Sequence, residues 1–254
     1  MDQNATPGTN RTGTAMAPQR LQEMLAGLEE FPPTSQGNAQ AIAQVRIAYA
    51  QEAAPQGSVP PPQGIIAKVQ TAVQAVLGAQ PTLFMDKLGE RLAFERTGTR
   101  VYEAVLSKYD AFGSFTGGPS RGELEHLRRE EYEHFLLLRS AIEQLGGDPT
   151  AVTPSANLQL TASQGVPKVV VDPRTTLLQC LEAVLTTELT DNACWDALVE
   201  LAQGAGEDAL VQQFEQAHRT EQEHLLKVQR WVAAGQGRPQ PSMRVADEPN
   251  RGRA

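Results

Sequence analysis

Two stretches of the chain pair a carboxylate with an imidazole at helical spacing: Glu131-x-x-His134 and Glu221-x-x-His224. Residues three apart share a helix face, so each pair presents an oxygen and a nitrogen donor side by side. Two further acids, Glu95 and Glu188, stand inside otherwise apolar helical stretches. Carboxylates and imidazoles gathered in an apolar setting hold cations. The absence of thiolates from this set suits iron or manganese better than a structural zinc site.

The four stretches are two copies of one pattern. Glu95-Arg96-Thr97 leading to Tyr102-Glu103-Ala104 matches Glu188-Leu189-Thr190 leading to Trp195-Asp196-Ala197 at a constant separation of 93 residues (188 − 95). Glu131 to His134 matches Glu221 to His224 at 90 residues (221 − 131). Each half therefore reads as a helix with one special Glu, a turn, and a helix with Glu-x-x-His.

The special residues interrupt core-facing rows. Leu88, Leu92, Glu95, Thr99, Tyr102, Leu106 and Tyr109 fall on one helical stripe. The same holds for Leu124, Leu127, Glu131, His134, Leu138 and Ile142, for Leu177, Leu181, Val184, Glu188, Trp195 and Leu198, and for Phe214, Ala217, Glu221, His224, Val228 and Trp231. A buried ionised carboxylate costs several kcal/mol unless it is paired or bound to metal. Arg and Lys are absent from these stripes, so the expected compensation is a cation, and four glutamate charges balance two divalent ions.

Levels along the helices agree with this reading. If consecutive helices are antiparallel, Glu95 and Glu131/His134 are equidistant from a turn near residue 114, inside Ala111-Phe112-Gly113-Ser114-Phe115-Thr116-Gly117-Gly118-Pro119. The matching turn of the second half falls near residue 205, inside Gln203-Gly204-Ala205-Gly206.

Over roughly residues 82 to 234 the pattern resembles the ferritin-like di-iron carboxylate proteins (ferritin, rubrerythrin, bacterioferritin), in which two helices give one Glu each and two give Glu-x-x-His. The resemblance implies an all-α fold: a four-helix ferritin-like bundle of two helical hairpins joined by a long crossover, with an N-terminal helical and disordered extension. It implies two iron ions, or manganese in the alternative, held by Glu95, Glu131, His134, Glu188, Glu221 and His224. It further implies that Glu131 and Glu221 bridge the two ions.

The activity expected from the resemblance is oxidoreductase chemistry with dioxygen or hydrogen peroxide, as a ferroxidase or a peroxide-reducing enzyme in iron and oxidative-stress handling. Ligands alone do not choose between these. Two alternatives stay open: a non-enzymatic, metal-stabilised helical scaffold or cargo protein, and a manganese catalase-like enzyme. An iron-storage cage fits less well, because no further assembling helix follows Ala234.

Other polar residues have competing readings. Tyr102 and Trp195 occupy equivalent places two turns beyond Glu95 and Glu188; both suit a core, and beside a redox metal Tyr102 can also donate an electron. His126 and His218 complete further Glu-x-x-His spacings with Glu123 and Glu215, but the repeat pairs them with Gln216 and Arg128. His126 reads as solvated, whereas His218 lies near enough to the stripe to support a ligand. Asp191, one turn after Glu188, is placed to bond a ligating imidazole, although its repeat partner is Gly98. Glu103, Glu130, Glu133 and Glu223 read as solvated.

The elements that must position these residues follow from turn signals. The first bundle helix is expected from Pro81 or Thr82 to Phe112, and the second from about Pro119-Ser120 to Gly146-Gly147. A connection over residues 147 to 173 must return along the bundle, a distance of about 42 Å for a 28-residue helix. Within it Val169-Val170-Val171 reads as extended, and Asp172-Pro173 as the start of the third helix, which ends near Gln203. The fourth runs from about Glu207 to Ala234. Before the bundle, residues 1 to about 17 read as disordered, with short helices over Pro18 to Glu30, Ala39 to Ala54 and Ile65 to Leu77. The expected domains are thus an extension over 1–80, the bundle over 81–234 and a flexible tail over 235–254.

Composition bounds the partners. With 254 residues and a formal charge of −8, the chain lacks the basic surface that nucleic acid or an anionic membrane requires. No stretch is long and apolar enough to span a bilayer and no secretory signal is evident, so a cytoplasmic protein is expected, with a homo-oligomer compatible. Cys180 and Cys194 lie about 21 Å apart along one expected helix, too far to bridge.

Overall fold

The computed structural model describes residues 8–9, 12–34, 37–63 and 80–239, and these are helical with no strand among them. The chain divides into two compact units, one reaching Gln56 and one starting at Gly57. The first unit holds a 3-10 turn at Thr14–Met16 and two helices, α1 (Pro18–Glu30) and α2 (Ala39–Glu52), neither of which buries a side chain. The helix expected over Ile65 to Leu77 falls outside the described residues, as do most of residues 1 to 11 and the tail beyond 239.

The second unit contains α3 (Pro81–Phe112), α4 (Arg121–Gln144), α5 (Pro154–Ser163), α6 (Gly165–Val171), α7 (Leu177–Ala205) and α8 (Asp208–Gly235). Local chemistry sets their ends. Pro81 occupies the first turn of α3, where a missing N–H costs nothing. Ser120 and Glu123 form a capping box on α4, and Thr176 and Gln179 form another on α7. Gly206, at φ 71°, closes α7 in the left-handed region that a glycine enters without strain.

Among the long helices, α3 packs on α4 and α7, and α8 packs on α7 and α4. Apolar side chains gather in two cores. One contains Val101, Val105, Leu124, Leu127, Leu181, Val184 and Val228. The other contains Leu88, Leu92, Leu138, Ile142, Leu198 and Phe214. Each fully buried aliphatic or aromatic side chain contributes roughly 1.5–3 kcal/mol. The order of core residues along each helix gives its direction: α4 and α7 pass from the first core to the second, while α3 and α8 pass from the second to the first. All four cross the level between the cores at the residues singled out above.

Two expectations about the connection are corrected. Residues 169 to 171 are not extended but close α6, because Val166 and Val170, four apart, both bury against the first core. Nor does α7 begin at Asp172-Pro173. The Asp172 carboxylate accepts hydrogen bonds from the backbone and side chain of Arg174, and its carbonyl accepts one from Lys108 Nζ, which fixes a turn there. The connection is tied to α3 at its other end, where Asp86 accepts hydrogen bonds from Ser155 N at 2.9 Å and Ser155 Oγ at 2.7 Å.

Candidate metal centre

Glu95 on α3, Glu131 and His134 on α4, Glu188 on α7, and Glu221 and His224 on α8 are all buried and all meet at the level between the two cores. Glu221 stands at the centre. Its Oε1 lies 2.6 Å from His134 Nδ1 and its Oε2 lies 3.2 Å from His224 Nδ1. Glu95 Oε2 is 3.8 Å from His134 Nδ1, and Glu131 Oε1 is 3.5 Å from His224 Nδ1.

These donors group into overlapping sets that share Glu221. Glu131, Glu188, Glu221 and His224 form one, Glu95, His134 and Glu221 a second, and Glu95, Glu131 and Glu221 with Asp191 a third, with the candidate ligand atoms of each set within 4.8 Å of one another. Each set has the donor types and closeness to hold a metal ion.

The atoms that face inward have no hydrogen-bond donor among the described residues: Glu95 Oε2, Glu188 Oε2, both oxygens of Glu221, and Nδ1 of His134 and His224. Buried acceptors are ordinarily satisfied, since leaving one bare costs about 1–3 kcal/mol. For His224 the tautomer is fixed from outside, because Nε2 lies 2.8 Å from the Glu130 carboxylate and so carries the proton. In the neutral ring Nδ1 is then a lone pair aimed at carboxylate lone pairs. That arrangement needs a positive charge between them, and the residues present fit a cation.

Held by protein groups alone, the centre meets the same demand with protons. Burial, reinforced by the Glu221 charge, pushes Glu188 up to about 8 and Glu131 well above its ordinary range. Burial also disfavours charge on Glu221, but the imidazoles of His224 and His134 outweigh it and hold that carboxyl below its usual range. Burial opposes charge on the imidazoles too; Glu221 and its neighbours overcome it and raise both, His224 the more strongly.

The outer faces of the ligands are held by neighbours. Tyr102 donates to Glu188 Oε1 at 2.5 Å, and Trp195 Nε1 donates to Glu95 Oε1 at 3.0 Å while its ring packs edge-on against His134. Burial, with the Glu188 charge second, keeps the Tyr102 phenol protonated far above its ordinary value. Asn192 Nδ2 donates to the backbone carbonyls of both Glu188 and Glu221, each at 3.0 Å, joining α7 to α8 at the level of the ligands.

Several sequence expectations change. Arg is not absent from the buried rows: Arg91, only 1 % exposed, donates from Nη2 to Glu95 and to Asp191. It lies one turn before Glu95 on the same helix. Asp191 consequently bonds Arg91 rather than an imidazole. The pair cancels in charge, so four glutamates still face one another. Glu130 is not simply solvated but carries His224, and its other oxygen lies 3.3 Å from Nε2 of the exposed His126. His218 meets Gln222 on the outer side of α8. Glu103, Glu133 and Glu223 are exposed. Both cysteines are free.

Gly98, the repeat partner of Asp191, has a role that no sequence signal announced. A Cβ there would overlap Glu131 Oε2, so the missing side chain makes room for that carboxylate.

Among the described residues no helix is long and apolar enough to cross a membrane. Compared with protein-family models, with curated proteins and with solved structures, the chain matches none of them.

Proposed function

We propose that residues 81–234 form a ferritin-like four-helix bundle that holds two iron ions and reacts with dioxygen or hydrogen peroxide, as a ferroxidase or peroxide-reducing oxidoreductase. The observation that carries this reading is the convergence of six buried carboxylate and imidazole side chains from four helices, five of which present donor atoms with no hydrogen-bond partner among the described residues. The opposite directions of α3 and α4 and of α7 and α8, with α4 and α7 alike, support two hairpins joined by a crossover.

Two ferrous ions supply two electrons, enough to reduce peroxide to water or dioxygen to peroxide. The chain's own residues set the conditions. Glu221, which presents one oxygen to each imidazole, would help hold both ions, and Glu131 approaches the same space from α4. Tyr102 and Trp195 fix one oxygen of Glu188 and of Glu95, leaving the other oxygen of each free to bind. Tyr102, in contact with a ligand, is the side chain placed to pass a single electron to or from the site. The two apolar cores above and below exclude bulk water.

The test is metal analysis of protein purified without added metal, followed by anaerobic loading with ferrous iron and exposure to air or peroxide. Two irons per chain, oxidised faster than free iron, are expected. Bound iron oxidised no faster than free iron would favour a metal-stabilised scaffold, and bound manganese with peroxide dismutation would favour the catalase-like alternative.

A further inference from the structure

The ligand set obeys the internal repeat, but its surroundings do not, and both departures favour the same half. Glu95 Oε1 receives the cationic guanidinium of Arg91 as well as Trp195 Nε1, whereas Glu188 Oε1 receives only the neutral phenol of Tyr102. The residues that correspond to Arg91 and Asp191 in the other half are Val184 and Gly98 (91 + 93, 191 − 93), which carry no charge. A guanidinium bonded directly to a carboxylate oxygen withdraws the electron density that would bind a metal, even where a neighbouring acid cancels its net charge.

The imidazoles differ in the same sense. His224 Nε2 rests on the Glu130 carboxylate at 2.8 Å, an arrangement that raises the basicity of the opposite nitrogen. No carboxylate supports Nε2 of His134 among the described residues. The residue corresponding to Glu130 is Thr220 (130 + 90), whose hydroxyl is turned to the carbonyl of Gln216 on its own helix.

From these two independent asymmetries we infer that the two metal positions are unequal: the position at Glu188 and His224 fills first, and the position at Glu95 and His134 binds more weakly. The inference rests on the reading of the site as a two-metal centre. One counterweight exists, since an Asp191 oxygen also lies within 4.8 Å of the Glu95, Glu131 and Glu221 donors. Arg91 engages Asp191 Oδ1 and the two cancel, so Asp191 adds no net negative charge at the Glu95 position, while the guanidinium bond to Glu95 Oε1 remains.

Calorimetric titration of the full-length, metal-free protein with Mn2+, followed in parallel by electron paramagnetic resonance, tests this. Two steps at least about tenfold apart are expected, with the signal of an isolated Mn2+ after the first equivalent. The charge-neutral double variant Arg91→Gln/Asp191→Asn should strengthen the second step and draw the two together. Glu130→Gln, at a partly exposed position that tolerates the change, should weaken the first step by about tenfold or more and leave the second in place. Uptake of both ions in one step, a second step that weakens in the double variant, or a Glu130→Gln effect confined to the second step would overturn the inference while leaving a two-metal site standing. Absence of any Mn2+ binding would overturn the two-metal reading itself, and this inference with it.

Discussion

Tyr102 on α3 donates its phenol proton to Glu188 on α7 at 2.5 Å. The repeat-related Trp195 on α7 returns the gesture to Glu95 on α3 at 3.0 Å. Each half of the chain thus steadies the lone glutamate of the other. Tyr102→Phe removes the donor and leaves a buried carboxyl oxygen bare, so a loss of about 1–3 kcal/mol is expected from urea unfolding of the metal-free protein. A change within about 0.5 kcal/mol would mean that Tyr102 contributes packing alone.

The pH dependence of the metal-free protein has a definite sign. A carboxyl whose native pKa lies above its unfolded value contributes stability below the unfolded value and loses it as pH rises toward the native one. Glu188, raised from 4.5 to about 8, therefore makes the metal-free protein less stable as pH climbs through that window. His134 and His224, raised above 6.5, act in the same direction. Metal must displace these protons, so affinity should instead rise with pH and binding should release protons. Urea midpoints at about pH 5.5 and about pH 8, without and with Mn2+, should move in opposite directions; parallel movement would contradict the argument.

Gly98→Ala separates stability from binding. Alanine in a helix interior is favoured over glycine by up to about 1 kcal/mol, yet here the new methyl would displace the Glu131 carboxylate. Equilibrium dialysis against Mn2+ should show weakened uptake in a protein whose metal-free melting temperature is unchanged or higher.

Arg91→Met strands Asp191 as an uncompensated buried acid and should cost about 3–5 kcal/mol in the metal-free protein. Adding Asp191→Asn should recover much of the loss. Thermal melts of the single and double variants measure both, and equal destabilisation in the two would show that the ion pair is not the cause.

Much of this arrangement was legible in the residues. The helix bounds of α3 and α4 follow from Pro81, Ser120 and the glycine-rich turn, and the six clustered acids and imidazoles stand out as polar interruptions of apolar rows. What escaped was determined by contacts between distant segments. Asp191 could be matched to an imidazole or a guanidinium by spacing alone, and only the packing of α3 on α7 brings Arg91 to it. Glu130, next in sequence to Glu131, looks like a surface residue until α8 lays His224 beside it. The valine run before Asp172 reads as extended from its β-branched side chains, and burial of Val166 with Val170 decides in favour of helix.

The crossed donation between Tyr102 and Trp195 also bears on how such a chain is put together. Glu188 takes its donor from the opposite hairpin, and Glu95, although it also receives Arg91 of its own helix, takes its aromatic donor from there too. A solitary hairpin of this design would find its aromatic donor only by embracing a twin, and the long segment between α4 and α7 makes that embrace permanent within one polypeptide.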